Sequence, residues 1–336
     1  MNSNDVFFFG SGFSKSLIED YPTLRGLSNF IDKSLKKEEN SISKHYIDDV
    51  PEIFHNDIEN LLTYLSTNLP YKSPVQKSLD EALYTDITSK LANKFKNLIK
   101  NKKIDMCDEN KKIFADYICT NNCTCITLNY DLLLEEILYK NFFKENEYST
   151  NNYSVFYKFP IIELKSRCGN TSYNWVSDEE GIMPEIIKLH GSRNWLYAGL
   201  SDIDPIYLEE GNEEEYLKAD LVPFIIPPVL DKQNQYNNAI LKLLWNKAFK
   251  VIEEATNIYI YGFSFPTTDY SIKFLFQSAL EQNKNDYKIH VINTSEAKDE
   301  LKKHYEKIFG KNKCDFSCCV ENNQLEALLK TIKKDT

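Results

Sequence analysis

The sequence lacks several features that would assign it to a common class. No apolar run approaches the roughly 18 residues of a membrane span, and the first residues carry no basic region followed by an apolar stretch, as a secretory signal would. The pattern Gly-x4-Gly-Lys-Ser/Thr of P-loop nucleotide-binding proteins is also absent. These absences favour a cytoplasmic protein that is not a P-loop enzyme.

The sequence also has fewer positively charged residues than negatively charged ones. Lys and Arg number 40 against 50 Asp and Glu, which gives a formal net charge of -10. A protein whose main task is to coat nucleic acid or an anionic membrane needs an excess of positive charge. We therefore expect no direct binding to nucleic acid and none to membranes.

Cysteines in metal-binding pairs are missing, although the chain has eight cysteines. Six of them form two close groups, which are Cys119, Cys123 and Cys125, and Cys314, Cys318 and Cys319. Neither group has the C-x2-C spacing of a zinc site, and neither has a histidine at ligand distance. We expect reduced structural thiols and no metal.

Glycine is scarce, with 10 in 336 residues, so its placement is informative. The apolar run of residues 6–9 is followed at once by Gly10, Ser11, Gly12, Phe13 and Ser14. Glycine lets a backbone approach a ligand closely, and the amides of a helix's first turn attract anions. The pattern predicts a strand that ends in a phosphate-binding turn, with an ordinary strand-to-helix turn as the alternative.

Five further apolar or β-branched runs end in polar, motif-like residues. They are residues 123–128, 185–189, 221–226, 257–261 and 287–292. Runs with helical periodicity separate several of them. We therefore predict an α/β fold, with a Rossmann-like sheet of about six mainly parallel strands and helices on both faces.

The spacing of these runs also predicts how the chain is organised. Residues 1–336 are expected to form a single domain. Residues 27–116 contain no clear strand and should form a helical insert after the first strand. Residues 144–183 are polar and rich in tyrosine, and we expect them to form an irregular insert at the rim of a pocket.

Distinct polar residues follow the predicted strands. They are Asn129, Asp131, His190, Ser264 and Asn293. Ligands of open α/β sheets bind at the carboxyl ends of strands, so we expect these residues to converge on one crevice. Their chemistry suits a nucleotide with two riboses and a pyrophosphate, and His190 is the natural titratable base. The alternatives are a structural His190, and an Asp131 that caps the following helix.

The order of the motifs resembles that of the sirtuin superfamily, whose members bind NAD in a Rossmann-like sheet. The matching stretches read Gly-Ser-Gly-Phe-Ser at 10–14, Asn-Tyr-Asp at 129–131, His-Gly-Ser at 190–192, Gly-Phe-Ser at 262–264, and Asn293. The resemblance implies that Asn129 and His190 contact the nicotinamide ribose, with His190 as general base. It implies a place near the nicotinamide amide for Asp131.

The same resemblance implies further contacts with the cofactor. The residues after the first strand, 10–14, would hold the pyrophosphate. Gly262, Ser264 and Asn293 would line the phosphates and the adenosine ribose. Arg25 lies where sirtuins carry a Pro-Asp-Phe-Arg motif, which is absent here, and it is a candidate substitute.

Other departures distinguish this chain from protein-deacylating sirtuins. No cysteine follows His190 until Cys314, so the paired-cysteine zinc module is missing. Residues 224–228 read Phe-Ile-Ile-Pro-Pro where deacylases carry Phe-Gly-Glu. The set of motifs Gly-x-Gly-Phe-Ser, Asn-Tyr-Asp, Lys-Leu-His-Gly-Ser-x-Asn-Trp and Ile-Pro-Pro is similar to that of the Sir2-type domains of bacterial anti-phage defence proteins, which generally hydrolyse NAD.

The resemblance therefore implies an NAD+ glycohydrolase that releases nicotinamide and ADP-ribose and depletes NAD during infection. Such an activity would have to be restrained, so we expect a homo-oligomer, a separate partner of the ATPase or nuclease type, or both. An NAD-dependent protein deacylase and a non-catalytic module that binds NAD or ADP-ribose remain as alternatives. A dehydrogenase fits less well, because Lys15 stands where Gly-x-Gly-x-x-Gly needs glycine.

Overall fold

A sheet of six parallel strands lies at the centre of the computed structural model. The structure describes residues 4–37, 42–100, 108–143, 153–163, 183–209, 220–230, 232, 236–266 and 269–335. The strands in these ranges are β1 Asp5–Phe9, β2 Thr124–Thr127, β3 Ile161–Glu163, β4 Ile186–Lys188, β5 Gly191–Tyr197, β6 Ile206–Leu208, β7 Val222–Ile225, β8 Asn257–Tyr261, β9 Lys288–Ile292 and β10 Cys314–Asp315. The central sheet has the order β10-β9-β8-β1-β2-β4, and every neighbouring pair in it is parallel.

The central strands are covered on both faces. Neighbouring residues of a strand point to opposite faces, and in β1 both Phe7 and Phe8 are fully buried. Phe7 stacks on Tyr259 of β8 with ring centroids 4.8 Å apart, whereas Phe8 packs edge-on against Phe276 at 5.0 Å. Both faces of β1 are thus filled by aromatic packing, as expected for a parallel strand. The predicted α/β fold class is confirmed.

Helices occupy the chain between and after the strands. Their bounds are α1 Ser11–Leu17, α2 Leu24–Lys37, α3 Ile42–Ile47, α4 Ile58–Ser66, α5 Pro74–Lys100, α6 Glu109–Thr120, α7 Leu133–Phe142, α8 Ala239–Glu254, α9 Tyr270–Gln282, α10 Lys298–Phe309 and α11 Gln324–Asp335. In the part of the chain that the structure describes, no helix combines the length and the apolar character that crossing a bilayer would need.

The described elements between β1 and β2 are all helical. They are α1 to α6 and a short 3-10 turn at Glu52–Phe54. Apolar side chains of α2, α4 and α5 form a buried cluster of their own, separate from the cluster around the central sheet. Leu62 of α4 and Leu91 of α5 are fully buried in it. This cluster fixes the helices as a wall beside the carboxyl ends of β1 and β2.

A second sheet, absent from the sequence-based prediction, has the order β3-β6-β5-β7. Residues 221–226 were expected in the parallel sheet, but β7 lies here and pairs antiparallel with β5. The prediction was wrong because a covered strand of either sheet reads as a short apolar run. The sixth central strand is instead β10, which has two residues and is too short to show a pattern.

The connection from the central sheet to the second sheet, between β4 and β5, is very short. β4 ends at Lys188, and β5 begins at Gly191. Of the predicted rim insert, residues 144–152 and 164–182 lie outside the described residues. The described part, 153–163, contains a 3-10 turn at Tyr153–Phe156 and the edge strand β3. It therefore contributes to the second sheet.

Candidate functional site

A pocket of about 460 Å³ opens at the carboxyl ends of the central strands. The chain runs outward from β1 through β2 to β4, and then returns to β8 on the other side of β1. This reversal between β1 and β8 is the topological switch point, where open α/β sheets bind ligands. The described lining residues are Gly10, Ser11, Tyr21, Pro22, Thr23, Leu24, Leu27, Glu59, Phe95, Leu128, Asn129, Tyr130, His190, Pro228, Lys232, Gly262, Phe263, Ser264, Pro266 and Asp269.

Three glycines bring the turns after β1 and β8 into direct backbone contact. A Cβ atom on Gly10 would lie 2.5 Å from the carbonyl oxygen of Gly262, and one on Gly12 would lie 2.6 Å from the Gly262 Cα. Gly262 has a φ of +66°, and a Cβ there would lie 2.3 Å from the amide nitrogen of Phe13. Real side chains do not tolerate such distances, so these glycines serve the approach of one turn to the other.

The amides of the first turn are largely used within the protein. Gly10 N donates to Tyr261 O at 2.9 Å, and Gly12 N donates to Gly262 O at 2.9 Å. Phe13 N donates to Gly10 O at 3.0 Å, and the Phe13 ring is buried against Phe9. Gly12 and Phe13 therefore support the floor of the pocket, whereas Gly10 and Ser11 line it.

Ser14 and Asp131 form a buried network behind the pocket. Ser14 Oγ donates to Asp131 Oδ2 at 2.7 Å, and Tyr21 OH donates to the same oxygen at 2.6 Å. Asp131 Oδ1 accepts from the amide of Leu133 at 3.0 Å, at the start of α7. Burial and the Asp131 charge raise the pKa of Tyr21 well above its usual range, so the phenol stays protonated. Neither Ser14 nor Asp131 is among the described lining residues.

Asn129 joins this network to the pocket. Its Nδ2 donates to Gly10 O and to Ser14 Oγ, each at 2.9 Å. The side chain is 7% exposed and lines the pocket. Since both donors of the amide nitrogen face the turn after β1, the position of this side chain is tightly defined.

His190 lies across the pocket, just after β4. It is 4% exposed, and its Nε2 has no hydrogen-bond partner among the residues that the structure describes. The pKa of His190 is lowered to about 3, mainly by burial and also by the charge of Lys232, while Asp269 partly opposes the decrease. The imidazole is therefore neutral near pH 7 and can accept a proton.

Gly191 allows the second sheet to pack closely beside His190. Its φ is +73°, and a Cβ there would lie 2.1 Å from the carbonyl oxygen of Phe224 in β7. Gly191 pairs with Ile225 in the second sheet, and Ile226 N donates to His190 O at 2.9 Å. This glycine thus lets β7 approach the backbone of His190.

Two more of the predicted cofactor contacts lie outside the pocket lining, in addition to Gly12, Phe13 and Ser14. Arg25 is exposed at the start of α2, and it is not among the described lining residues. Asn293 follows β9 and is also missing from the lining; its Oδ1 accepts from the amide of Thr294 at 2.8 Å. Ser264 and Gly262, in contrast, line the pocket.

Lys232 is a pocket residue that the sequence did not indicate. It is the only Lys or Arg among the described lining residues, and its Nζ is paired with Asp269. Asp269 directly precedes α9, and its side chain makes this ion pair and does not cap the helix. Glu59, at the start of α4, brings a second carboxylate to the pocket. No local pattern marks these residues, because each reaches the pocket from a distant segment.

The cysteines are buried or half-buried in the described part of the chain. Burial raises the pKa of the Cys119 and Cys319 thiols to about 11. Within the residues that the structure describes, no group of three or more His, Cys, Asp or Glu side chains could hold a metal ion.

Comparison with known proteins gives matches only at the level of solved structures. No protein family matches the chain, and no curated protein matches it. A structure described under the mechanism and regulation of Sir2 enzymes has 10% identity, with 99% of this chain and 93% of that chain covered and a TM-score of 0.41. A mutant Sir2 homologue in complex with ADP-ribose has 14% identity, coverage of 98% and 92%, and a TM-score of 0.39. A Sir2 enzyme bound to a propionylated peptide has 10% identity, the same coverage and a TM-score of 0.39. The alignments with these structures extend over nearly the whole chain, but the backbones superpose only loosely.

Proposed function

We propose that this protein is an NAD+ glycohydrolase, which cleaves NAD+ to nicotinamide and ADP-ribose. One observation carries the proposal: His190 faces the switch-point pocket as a buried, neutral imidazole whose Nε2 lacks a partner among the described residues. Asn129 faces the same pocket. An unpartnered buried polar atom is costly, so it is expected where a ligand or water completes it.

The charges of the pocket support a dinucleotide as substrate. NAD+ combines an anionic pyrophosphate with a cationic nicotinamide ring. Among the described lining residues, Lys232 supplies one positive charge, and Glu59 and Asp269 supply two negative ones. The pocket therefore offers charges of both signs, and Ser11 and Ser264 offer hydroxyl groups beside them. We assign the pyrophosphate to the side of Gly10 and Ser11, and the nicotinamide ribose to the side of Asn129 and His190.

The reaction needs only these groups and a water molecule. The bond between the ribose C1′ and the nicotinamide nitrogen breaks, and its electron pair leaves with nicotinamide. C1′ passes through an oxocarbenium-like state, as in glycoside cleavage. Water adds its oxygen to C1′, and its proton goes to Nε2 of His190 and then to solvent. Because the pKa of His190 is lowered, the imidazole is neutral near pH 7 and is not already occupied by a second proton.

The proposal is tested by mass spectrometry of the products formed from NAD+ by the purified protein. We expect nicotinamide and ADP-ribose in equal amounts, and His190→Gln should reduce turnover by roughly 100- to 10,000-fold. Asn129→Ala should also lose activity. His45→Gln is a matched control, since His45 is an exposed histidine on α3. Equal turnover in the wild type and the His190 variant would refute the assignment.

The same assay distinguishes the alternatives. An acetylated peptide added with NAD+ should remain acetylated; its deacetylation, strictly coupled to nicotinamide release, would identify a deacylase. Tight binding of NAD+ or ADP-ribose without turnover would identify a binding module.

We further propose that NAD+ hydrolysis serves anti-phage defence. The support is the resemblance of the motifs to Sir2-type domains of bacterial defence proteins. Cytoplasmic NAD+ should then fall after infection of cells that carry the wild-type protein, and not in cells with His190→Gln. If the activity is gated by self-assembly or by an ATPase- or nuclease-type partner, turnover should rise with protein concentration or when the partner is added.

A further inference from the structure

The strand that precedes His190 carries a fully buried lysine. Lys188, the last residue of β4, lies two positions before His190. Its Nζ donates to the backbone oxygen of Asp131 at 2.7 Å and to Glu135 Oε1 at 2.8 Å. The lysine thus joins the histidine strand to the segment that follows Asn129.

Glu135 has a second buried donor. Glu135 Oε1 also accepts from Tyr157 OH at 2.9 Å, so Lys188 and Tyr157 hold the same carboxylate oxygen. The strand that ends at Lys188 is therefore tied to a carboxylate in the first turn of α7. We call Lys188, Glu135 and Tyr157 the Glu135 clamp.

A contribution to the stability of the fold does not by itself explain why the Lys188–Glu135 ion pair is buried. The side chains of Lys188 and Glu135 are each 1% exposed, and Glu135 Oε2 has no hydrogen-bond partner among the described residues. Removing two charges from water is costly, and an apolar pair of similar size is often at least as stable. No member of the clamp is among the described lining residues, so a direct contact with substrate is not its role.

We propose that Glu135 is a positioning residue, which holds His190 at a fixed distance from Asn129 through Lys188, with Tyr157 fixing the Glu135 carboxylate. The activity readout for this inference rests on the proposed NAD+ hydrolysis. The positioning itself concerns only the protein.

The test removes both charges together. In Glu135→Leu/Lys188→Met no unpaired charge is left in the core, so the fold should survive. We expect kcat for NAD+ to fall by about 10- to 100-fold, with little change in KM. A loss of this size is typical when a residue that orients the ligands of a metal site is replaced.

A second buried lysine–carboxylate pair, distant from the clamp in the sequence, serves as a matched control. In the helical wall, Lys72 Nζ pairs with Asp80 Oδ2 at 2.7 Å, with side chains 2% and 3% exposed. Lys72 also donates to Tyr64 O, and Tyr46 OH donates to Asp80 Oδ1. This set repeats the chemistry of the clamp without any link to His190. Asp80→Leu/Lys72→Met should therefore leave kcat unchanged.

A second readout is independent of activity. In protein labelled with ¹⁵N-histidine, the ring signals of His190 can be assigned with His190→Gln. They should shift in Glu135→Leu/Lys188→Met and in Tyr157→Phe, which keeps the ion pair and serves if the double variant does not fold. They should not shift in the Lys72 control.

The outcomes separate the two proposals. Unchanged His190 signals in the clamp variants would overturn the positioning role, as would an equal loss of kcat in the Lys72 control. If the wild type does not hydrolyse NAD+, the proposed function fails, and the His190 signals alone decide the positioning role.

Discussion

Replacing His190 with glutamine should make the protein less sensitive to acid. Burial lowers the pKa of His190 from about 6.5 in an unfolded chain to about 3 in the folded protein. Below about pH 6.5 the unfolded chain therefore binds a proton that the folded protein does not. Stability is lost as the pH falls through the window between these two values, and it is fully present above that window.

The size of the effect follows from linkage. Each pH unit within the window costs about 1.4 kcal/mol, so His190 should remove about 2 kcal/mol from the free energy of unfolding between about pH 7 and about pH 5. The His190→Gln variant lacks this loss. Urea denaturation of both proteins at several pH values measures the difference, and His45→Gln controls for the loss of an exposed imidazole. Parallel stability curves for the wild type and the His190 variant would show that the imidazole titrates normally and refute the reasoning.

Three further predictions follow from the pocket. Gly12→Ala should lower the free energy of unfolding by about 2 kcal/mol, because its Cβ would overlap the neighbouring turn; Gly26→Ala, with 3.5 Å of space on an exposed helix, should be neutral or stabilising in the same urea experiment. Lys232→Met should raise the pKa of His190, since a nearby positive charge is removed, and an NMR titration showing no rise would contradict this. Arg25→Ala should leave NAD+ turnover unchanged in the product assay, and a large loss would place Arg25 back in the site.

The parts of the fold that the sequence predicts are those determined by residues that are close together in the chain. The central strands are largely apolar runs; β2, β4, β8 and β9 lie within the predicted runs, and β1 begins one residue before its run. Asn129 and His190 lie in one pocket because parallel strands end at the same edge of a sheet. That rule needs only the order of the strands and no knowledge of side-chain packing.

The remaining features depend on contacts between distant segments. Ser14 and Asp131 are separated by 117 positions, and their hydrogen bond turns both away from the lining. Lys232 and Glu59 reach the pocket from segments without a motif. In the sequence, Glu135 reads as an ordinary helix residue. Only the fold brings Lys188 and Tyr157 to its carboxylate.

The backbone contact between the turns after β1 and β8 limits how this protein can evolve. A Cβ atom on Gly10 or Gly12 would overlap the main chain of Gly262, and one on Gly262 would overlap the main chain of Gly12 and Phe13. A single substitution at one of these positions is therefore costly unless the backbone that faces it also shifts. Homologues that differ at the other motifs of the pocket should therefore retain these three glycines.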